Sequence, residues 1–272
     1  ESLLYYKSMN PFSQFSETDT LKKVIIGRYD NYARVPEYIE RVNPEQEKGL
    51  PGRDQLRREM ENFRIALIKE HVELLTPEPV SKFVYDQLTP RDIGVTIGKR
   101  FLLCNMAKKS RRYEAAGIFG YINQPAEAEP NILIPDSPTA LMEGGDILVD
   151  KGRIFIAQTE RTNKEGISFI QKSFGKEFEV VPIQTRTKKE GEEILHLDCI
   201  FNPVGEKYAL IYENGFKNIP LEIRVTYELI PVNKKEQQAL ATNVLSISQK
   251  RIISRKHENT ERINGILRNK GM

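Results

Sequence analysis

Three short acidic segments, one of them with a histidine, carry the residue types and spacings that could do chemistry in this chain. Leu195-His196-Leu197-Asp198 sets a histidine two residues before an aspartate. Read as a strand, positions two apart face the same way, so His196 and Asp198 project together; the pair also reads as an ordinary His/Asp pair at a strand end. Glu143-Gly144-Gly145-Asp146 flanks a glycine pair with carboxylates. The glycines let the backbone turn tightly or approach a ligand, although taken alone the segment is a turn with solvated acids. Pro90-Arg91-Asp92-Ile93-Gly94 places a third acid at the entrance to a strand. One imidazole nitrogen among several acids is a poor zinc set, so no metal is expected. The other two histidines read as structural: His71 where a helix meets a strand, and His257 in a basic stretch.

The elements that position these groups follow from periodicity. Leu21 to Gly27 reads as a short buried strand ended by glycine, and Asp54 as the cap of a helix with Leu56, Met60, Phe63 and Leu67 on one face. Between them, Asn31 to Gly52 is polar and proline-punctuated, a long loop. A strand at Val72–Leu75 follows. Then a pattern recurs. Val95–Ile97 and Phe101–Leu103 around Gly98-Lys99 make a hairpin, with a helix near Arg111 to Phe119. Ile147–Val149 and Arg153–Ile156 around Asp150-Lys151-Gly152 make another, leading to a helix opened by Thr162-Asn163-Lys164-Glu165, a capping-box pattern. Cys199–Val204 with Tyr208–Tyr212, and Val244–Ile247 with Arg251–Ser254, supply a third and a fourth, the last followed by a helix over Asn259–Asn269. The turns recur about every 44 to 55 residues, a repeat signal.

With the first strand–helix–strand as another unit, five strand-rich modules predict an α/β propeller of strand-strand-helix-strand repeats, the last apparently incomplete after the helix ending at Lys270-Gly271-Met272. An ordinary open α/β sheet is the alternative. The 272 residues read as a single domain over 1–272, with Glu1–Asn10, and at most residues 1–20, an N-terminal arm. In a ring, equivalent strand ends converge at the centre, bringing Asp92, Glu143, His196 and Asp198 together. Three carboxylates around one histidine ask for a delocalised cation, and guanidinium fits because its planar fork pairs bidentately with carboxylates. Forty-one basic against 38 acidic residues leave a net charge of +3, too weak a field to argue for nucleic acid or a membrane surface. No apolar run approaches the ~18 residues of a spanning helix. Two cysteines and no N-x-S/T triplet favour a reducing, cytoplasmic setting. The start at Glu1 without methionine leads us to expect an upstream segment.

The combination resembles the guanidino-group-modifying enzymes of the pentein superfamily: arginine deiminases, dimethylarginine dimethylaminohydrolases and amidinotransferases. The resemblance runs from about Leu21 to Met272. It rests on the order of Leu21-Lys22-Lys23-Val24-Ile25-Ile26-Gly27-Arg28, Pro90-Arg91-Asp92, Arg111-Arg112-Tyr113-Glu114, Glu143-Gly144-Gly145-Asp146, Arg161-Thr162-Asn163, His196-Leu197-Asp198 and Asn243-Val244-Leu245. The family's fold is the five-module propeller. The resemblance implies that Asp92 and Asp198 hold a substrate guanidinium, that Glu143 pairs with it or orients the histidine, and that His196 is general acid and then base. It also implies that Arg111 and Arg161 grip a substrate α-carboxylate; surface solvation or helix-terminal pairing is the plain alternative for both. Asn243 either lines the pocket or caps a strand.

The implied chemistry is covalent, through a cysteine thiolate attacking the guanidinium carbon, and requires no metal or organic cofactor. Here the chain departs from the family, whose nucleophile lies near the C-terminus and is expected beyond Met272. Cys104, in a strand, and Cys199, beside Asp198, read as buried small hydrophobes. The expected activity is an arginine-deiminase-like hydrolase acting on an arginine-like small molecule. The runner-up is an amidinotransferase, and a non-catalytic arginine-binding homologue follows if the chain ends at 272. A homo-oligomer is left open.

Overall fold

Apolar triplets punctuated by glycine turns make short strands, and the computed structural model arranges those among the described residues in five separate sheets of a mixed α/β fold. It describes residues 12–30, 52–80, 84, 87–122 and 132–272. The opening Glu1–Asn10 and all but Gly52 of the loop expected at Asn31–Gly52 lie outside the described residues. In the first sheet, β1 (Lys23–Ile25) and β2 (Glu73–Leu75) are parallel, joined through the helix Arg53–Lys69. In the second, β3 (Gly94–Ile97) and β4 (Arg100–Leu103) form a hairpin and β5 (Ile132–Leu133) lies parallel to β4. The third repeats that order with β6 (Ile147–Asp150), β7 (Arg153–Gln158), the helix Lys164–Phe174 and β8 (Glu179–Gln184). So does the fourth, with β9 (Phe201–Val204), β10 (Tyr208–Ile211), the helix Leu221–Thr226 and β11 (Glu228–Pro231). In the fifth, β12 (Leu245–Ser248) and β13 (Arg251–Ile253) precede the helix Glu261–Asn269.

The repeat has a local cause. Gly98 and Gly205 open their hairpin turns and Gly152 closes its own, after Lys151, with φ of 59°, 62° and 73°, a region that glycine enters without steric cost. The fourth hairpin has no glycine there, and its register shifts between Ser246 and Ser248.

Several local expectations are corrected. The first long helix is capped by Gly52 without a side-chain bond; Asp54 sits inside its first turn, where it meets the positive end of the helix dipole. The helix expected near Arg111 is a 3-10 helix, Lys109–Ile118, with only Phe119–Ile122 α-helical. Three residues per turn eclipse positions i and i+3, and Arg111 uses that alignment to bind Glu114. Asn163 alone caps the helix Lys164–Phe174, accepting from the Gly166 N–H, while Thr162 turns inward. The His196–Asp198 segment is not a strand: His196 is extended and Leu197–Cys199 is a 3-10 turn. Cys104 lies just past the end of β4.

Side chains alternate along β6 and β7 between two cores, so the third sheet is buried on both faces. Val149, Ile154 and Ile156 face a core shared with β3, β4 and the helix Lys164–Phe174. Leu148, Phe155 and Ala157 face one shared with β9, β10 and β11 that reaches Ile263 and Leu267. Ile26, Leu67, Val72 and Ile247 form a third, so the first and fifth sheets meet, and the Leu21 N–H donates to the Ile247 carbonyl at 2.9 Å. The described part of the expected arm is tied down. Gln14 bridges to Gly98, and the Glu17 N–H donates to the Val149 carbonyl at 2.8 Å.

Phe155 joins the third and fourth sheets, fully buried and edge-on to Phe201 at 5.4 Å. Its replacement by alanine should cost about 3–5 kcal/mol of stability, read as a lowered midpoint in denaturant unfolding.

Candidate active site

Three 3-10 turns enter the first strands of consecutive sheets: Pro90–Asp92 before β3, Gly144–Asp146 before β6, and Leu197–Cys199 before β9. The first and third of these both pack against the middle one. Such a turn ends a strand entrance with carbonyls and side chains directed inward, and each carries one of the acids singled out by sequence. The glycine pair lets them close on one another. A Cβ on Gly144 would lie 2.1 Å from the Arg91 carbonyl oxygen, and one on Gly145 would lie 2.8 Å from Cγ of His196 and 2.9 Å from Oδ1 of Asp92.

At the centre, His196 is 4% exposed and Glu143 is not exposed at all. Nε2 of His196 lies 2.9 Å from Oε2 of Glu143, and Nδ1 lies 3.7 Å from Oδ1 of Asp92. Burial disfavours a charged imidazole, yet the Glu143 hydrogen bond and the charges of Asp92, Asp146 and Asp198 outweigh it and push His196 up to about 9. At neutral pH both ring nitrogens therefore carry protons, one donated to Glu143 and one directed to the Asp92 side. Burial in turn raises Glu143, but His196 and Arg161 reverse the shift and hold its carboxyl below the usual range.

Two guanidinium groups sit on the same acids. Nη1 of Arg161 donates to both carboxylate oxygens of Glu143, at 3.2 and 3.1 Å. Nη1 of Arg111 donates to Oδ2 of Asp92 at 2.6 Å, while its Nε and Nη2 form a fork on Glu114 at 2.7 and 2.9 Å and Nη2 also reaches Thr89. The resemblance set these arginines at the opposite pole of a ligand from the acids; here they rest directly on them. Lys108 is half-buried beside them, and burial together with the Arg161 and Arg111 charges pulls its pKa down.

Asp198 also borders His196, but its carboxylate's one hydrogen bond among the described residues is a 3.5 Å contact from the Cys199 thiol, and burial raises its carboxyl. Asn243 makes no hydrogen bond with Asp92, Glu143 or His196. Its amide meets Cys199, and its Oδ1 is buried without a partner among the described residues. Burial and nearby carboxylates push the thiols of Cys104 and Cys199 far up, which disfavours the thiolate of either. Ligand atoms of Asp92, Glu143 and His196 lie within 4.8 Å of one another, close enough to share an ion, but the two arginines already use these carboxylates and the protonated imidazole offers no lone pair.

Sequence reading missed Glu114, Lys108, Thr159 and Thr162 as site residues, and treated Asp146 only as half of a turn. The Arg111/Glu114 spacing of three was the readable signal for one of them. No pattern along the chain marks the threonines, whose partners are distant in sequence.

A family model described as N,N dimethylarginine dimethylhydrolase, eukaryotic, matches residues 43–268. The uncharacterized protein YkgA of Bacillus subtilis (strain 168) is 32% identical over 190 residues, which is 70% of this chain. The chain spans 62% of that relative's length. Among solved structures, SxtG, an amidinotransferase of the saxitoxin biosynthetic pathway from Microseira wollei, superposes with a TM-score of 0.79 at 17% identity over 96% of this chain and 90% of its own. A DDAH from Pseudomonas aeruginosa complexed with citrulline gives 0.75 at 18% identity, over 93% and 90%. The N-terminal domain of the cyanobacterial arginine dihydrolase ArgZ gives 0.72 at 18%, over 92% and 89%. At these identities the three share the fold. Among the described residues no helix is long and apolar enough to cross a membrane.

With only three histidines in the chain, His196 can be followed by NMR, and its imidazole should titrate near pH 9. Because an unfolded imidazole titrates near 6.5, His196 stabilises the fold fully below that pH, and this contribution is lost as pH rises through about 9. In Glu143→Gln the His196 value should fall by at least about one unit, since burial is then opposed by fewer charges.

Proposed function

The chain belongs to the family described as N,N dimethylarginine dimethylhydrolase, eukaryotic, within the guanidino-group-modifying pentein superfamily, and on that premise we propose an arginine-deiminase-like hydrolase. It would cleave a C–N bond in the guanidino group of arginine or of a related guanidino amino acid such as a methylated arginine. One observation carries this reading. The protein's own Arg111 and Arg161 guanidinium groups rest on Asp92 and Glu143 on either side of a charged histidine, which supports guanidinium as the cation these acids receive.

The same contacts suggest how a ligand enters. An arriving guanidinium takes the place of Arg111 on Asp92 and of Arg161 on Glu143, with Asp198 as a third acid. The freed arginines then take the ligand's carboxylate, Arg111 keeping Glu114 as its anchor. Every buried charge ends the exchange paired, provided that the ligand carries both a cation and an anion. A guanidine without a carboxylate leaves an arginine uncompensated in a buried setting, which is costly.

His196 then serves twice. A thiolate attacks the guanidinium carbon, and the imidazolium gives its Nδ1 proton, the one not held by Glu143, to the departing amine. The neutral imidazole next takes a proton from the water that attacks the amidino thioether, expelling the thiolate and leaving a ureido product. The carboxylates favour the cationic substrate and the charged imidazole throughout. Cys104 and Cys199 are unsuited as nucleophile, so the proposal assigns that role to a cysteine beyond Met272. It takes the five sheets as propeller modules around this pocket, and Asn243 as a residue beside the pocket rather than a ligand contact.

Incubation of the protein with arginine and with methylarginines, with and without glycine, tests the reading. Citrulline formed without an acceptor supports it; ornithine formed only with glycine makes the protein an amidinotransferase; binding without turnover makes it an arginine-binding homologue. His196→Ala should lower kcat at least about 100-fold. Arginine should bind at least about tenfold tighter than its decarboxylated analogue by calorimetry, and equal affinities would refute the exchange of partners. Trapping the covalent adduct and mapping it by mass spectrometry should mark neither Cys104 nor Cys199.

A further inference from the structure

Asp146 touches no part of the proposed substrate path, yet it is fully buried and receives three hydrogen bonds from segments far apart in sequence. The hydroxyls of Thr159 and Thr162 each donate to its Oδ2 at 2.7 Å, and the Leu197 N–H donates to its Oδ1 at 3.0 Å. Each hydroxyl also accepts backbone N–H groups. Thr162 Oγ1 accepts from Glu143 at 3.2 Å, and Thr159 Oγ1 accepts from Arg161 at 3.0 Å and from Thr162 at 3.3 Å. The chains of bonds therefore run one way, from backbone N–H to hydroxyl to carboxylate. They start at the backbone of Glu143, at the backbone of Arg161 and at the residue following His196.

We propose that Asp146 is the positioning residue of this site, an ionised carboxylate that clamps the Glu143 turn, the Arg161 loop and the His196 turn into one arrangement and supplies part of the negative field that keeps His196 protonated. Only a carboxylate accepts at both ends without a hydrogen of its own to place. An amide would set its NH2 either against the two hydroxyls, reversing their chains of bonds, or against the Leu197 N–H, where two donors would face each other. Burial raises the Asp146 carboxyl to about 7 even against the His196 charge and the three donors, so its ionised form predominates above neutral pH. The polarity of the hydroxyl chains is independent geometric support for the ionised form. The catalytic consequence rests on the function proposed above; the effect on His196 does not.

The isosteric Asp146→Asn variant separates the two. Titration of the three histidines by NMR should show the His196 pKa lowered by at least one unit, with His71 and His257 unchanged. Turnover of the guanidino substrate should show kcat reduced at least tenfold and its alkaline limb shifted to lower pH. A folded Asp146→Asn protein whose His196 titrates within 0.3 units of the native value overturns the proposal, whatever the activity. If the native protein turns over no guanidino compound, the enzyme reading fails, and the histidine titration still decides this one. Should the asparagine variant not fold, Thr162→Val and Thr162→Ser replace it. Valine should move the His196 ring signals and serine, which keeps the hydroxyl, should restore them; identical spectra for the two overturn the inference.

Discussion

A carboxylate taken out of water must find donors or an opposite charge, and this centre is built around that constraint. Asp92, Glu143 and Asp146 are all buried within one small volume, together with the partly exposed Asp198. Left alone, they would repel one another and bind protons. Instead a single imidazolium lies among them, two guanidinium groups cap them from the side, and threonine hydroxyls and a backbone N–H close the remaining acceptor positions. The charge on His196 is thus a product of the acids, and the compactness of the acids depends on the charge on His196.

That mutual dependence explains the local backbone. The acids reach one another because three strand entrances are wound as 3-10 turns and because Gly144 and Gly145 have no Cβ to hold the turns apart. The third sheet, buried on both faces, fixes where the middle turn emerges. A second ionic layer lies behind the pocket. Arg91 donates to the Ile147 carbonyl and pairs with Glu17 at 3.6 Å, joining the first acidic turn to β6 and to the N-terminal segment.

The arginines give the site its chemical character. A guanidinium is planar and never loses its charge, so Arg111 and Arg161 show by direct contact what shape of cation these carboxylates receive. In the proposed exchange, ligands that cannot return the displaced arginines to a paired state are disfavoured. Under that proposal, selectivity for a zwitterion follows from charge balance, without a long list of contacts.

Much of this was legible in the chain. Apolar triplets around Gly98, Gly152 and Gly205 announced hairpins because only glycine enters their turn conformation freely, and the recurring strand-strand-helix order made the repeat visible. Asp92, Glu143 and His196 stood out because each lies just before a hairpin of a different module, although each segment alone also reads as ordinary structure. Local geometry was less legible. The His196–Asp198 segment alternates like a strand but winds as a 3-10 turn, since the Leu197 N–H is drawn to Asp146, 51 residues away. Arg111 and Arg161 could be recognised as functional types, but not as partners of Asp92 and Glu143. Sequence determined which residues carry charge and where the chain can turn, because those properties are local. Tertiary structure alone decided which charges neutralise which, because the strength of an ion pair depends on distance and burial, and neither is written along the chain.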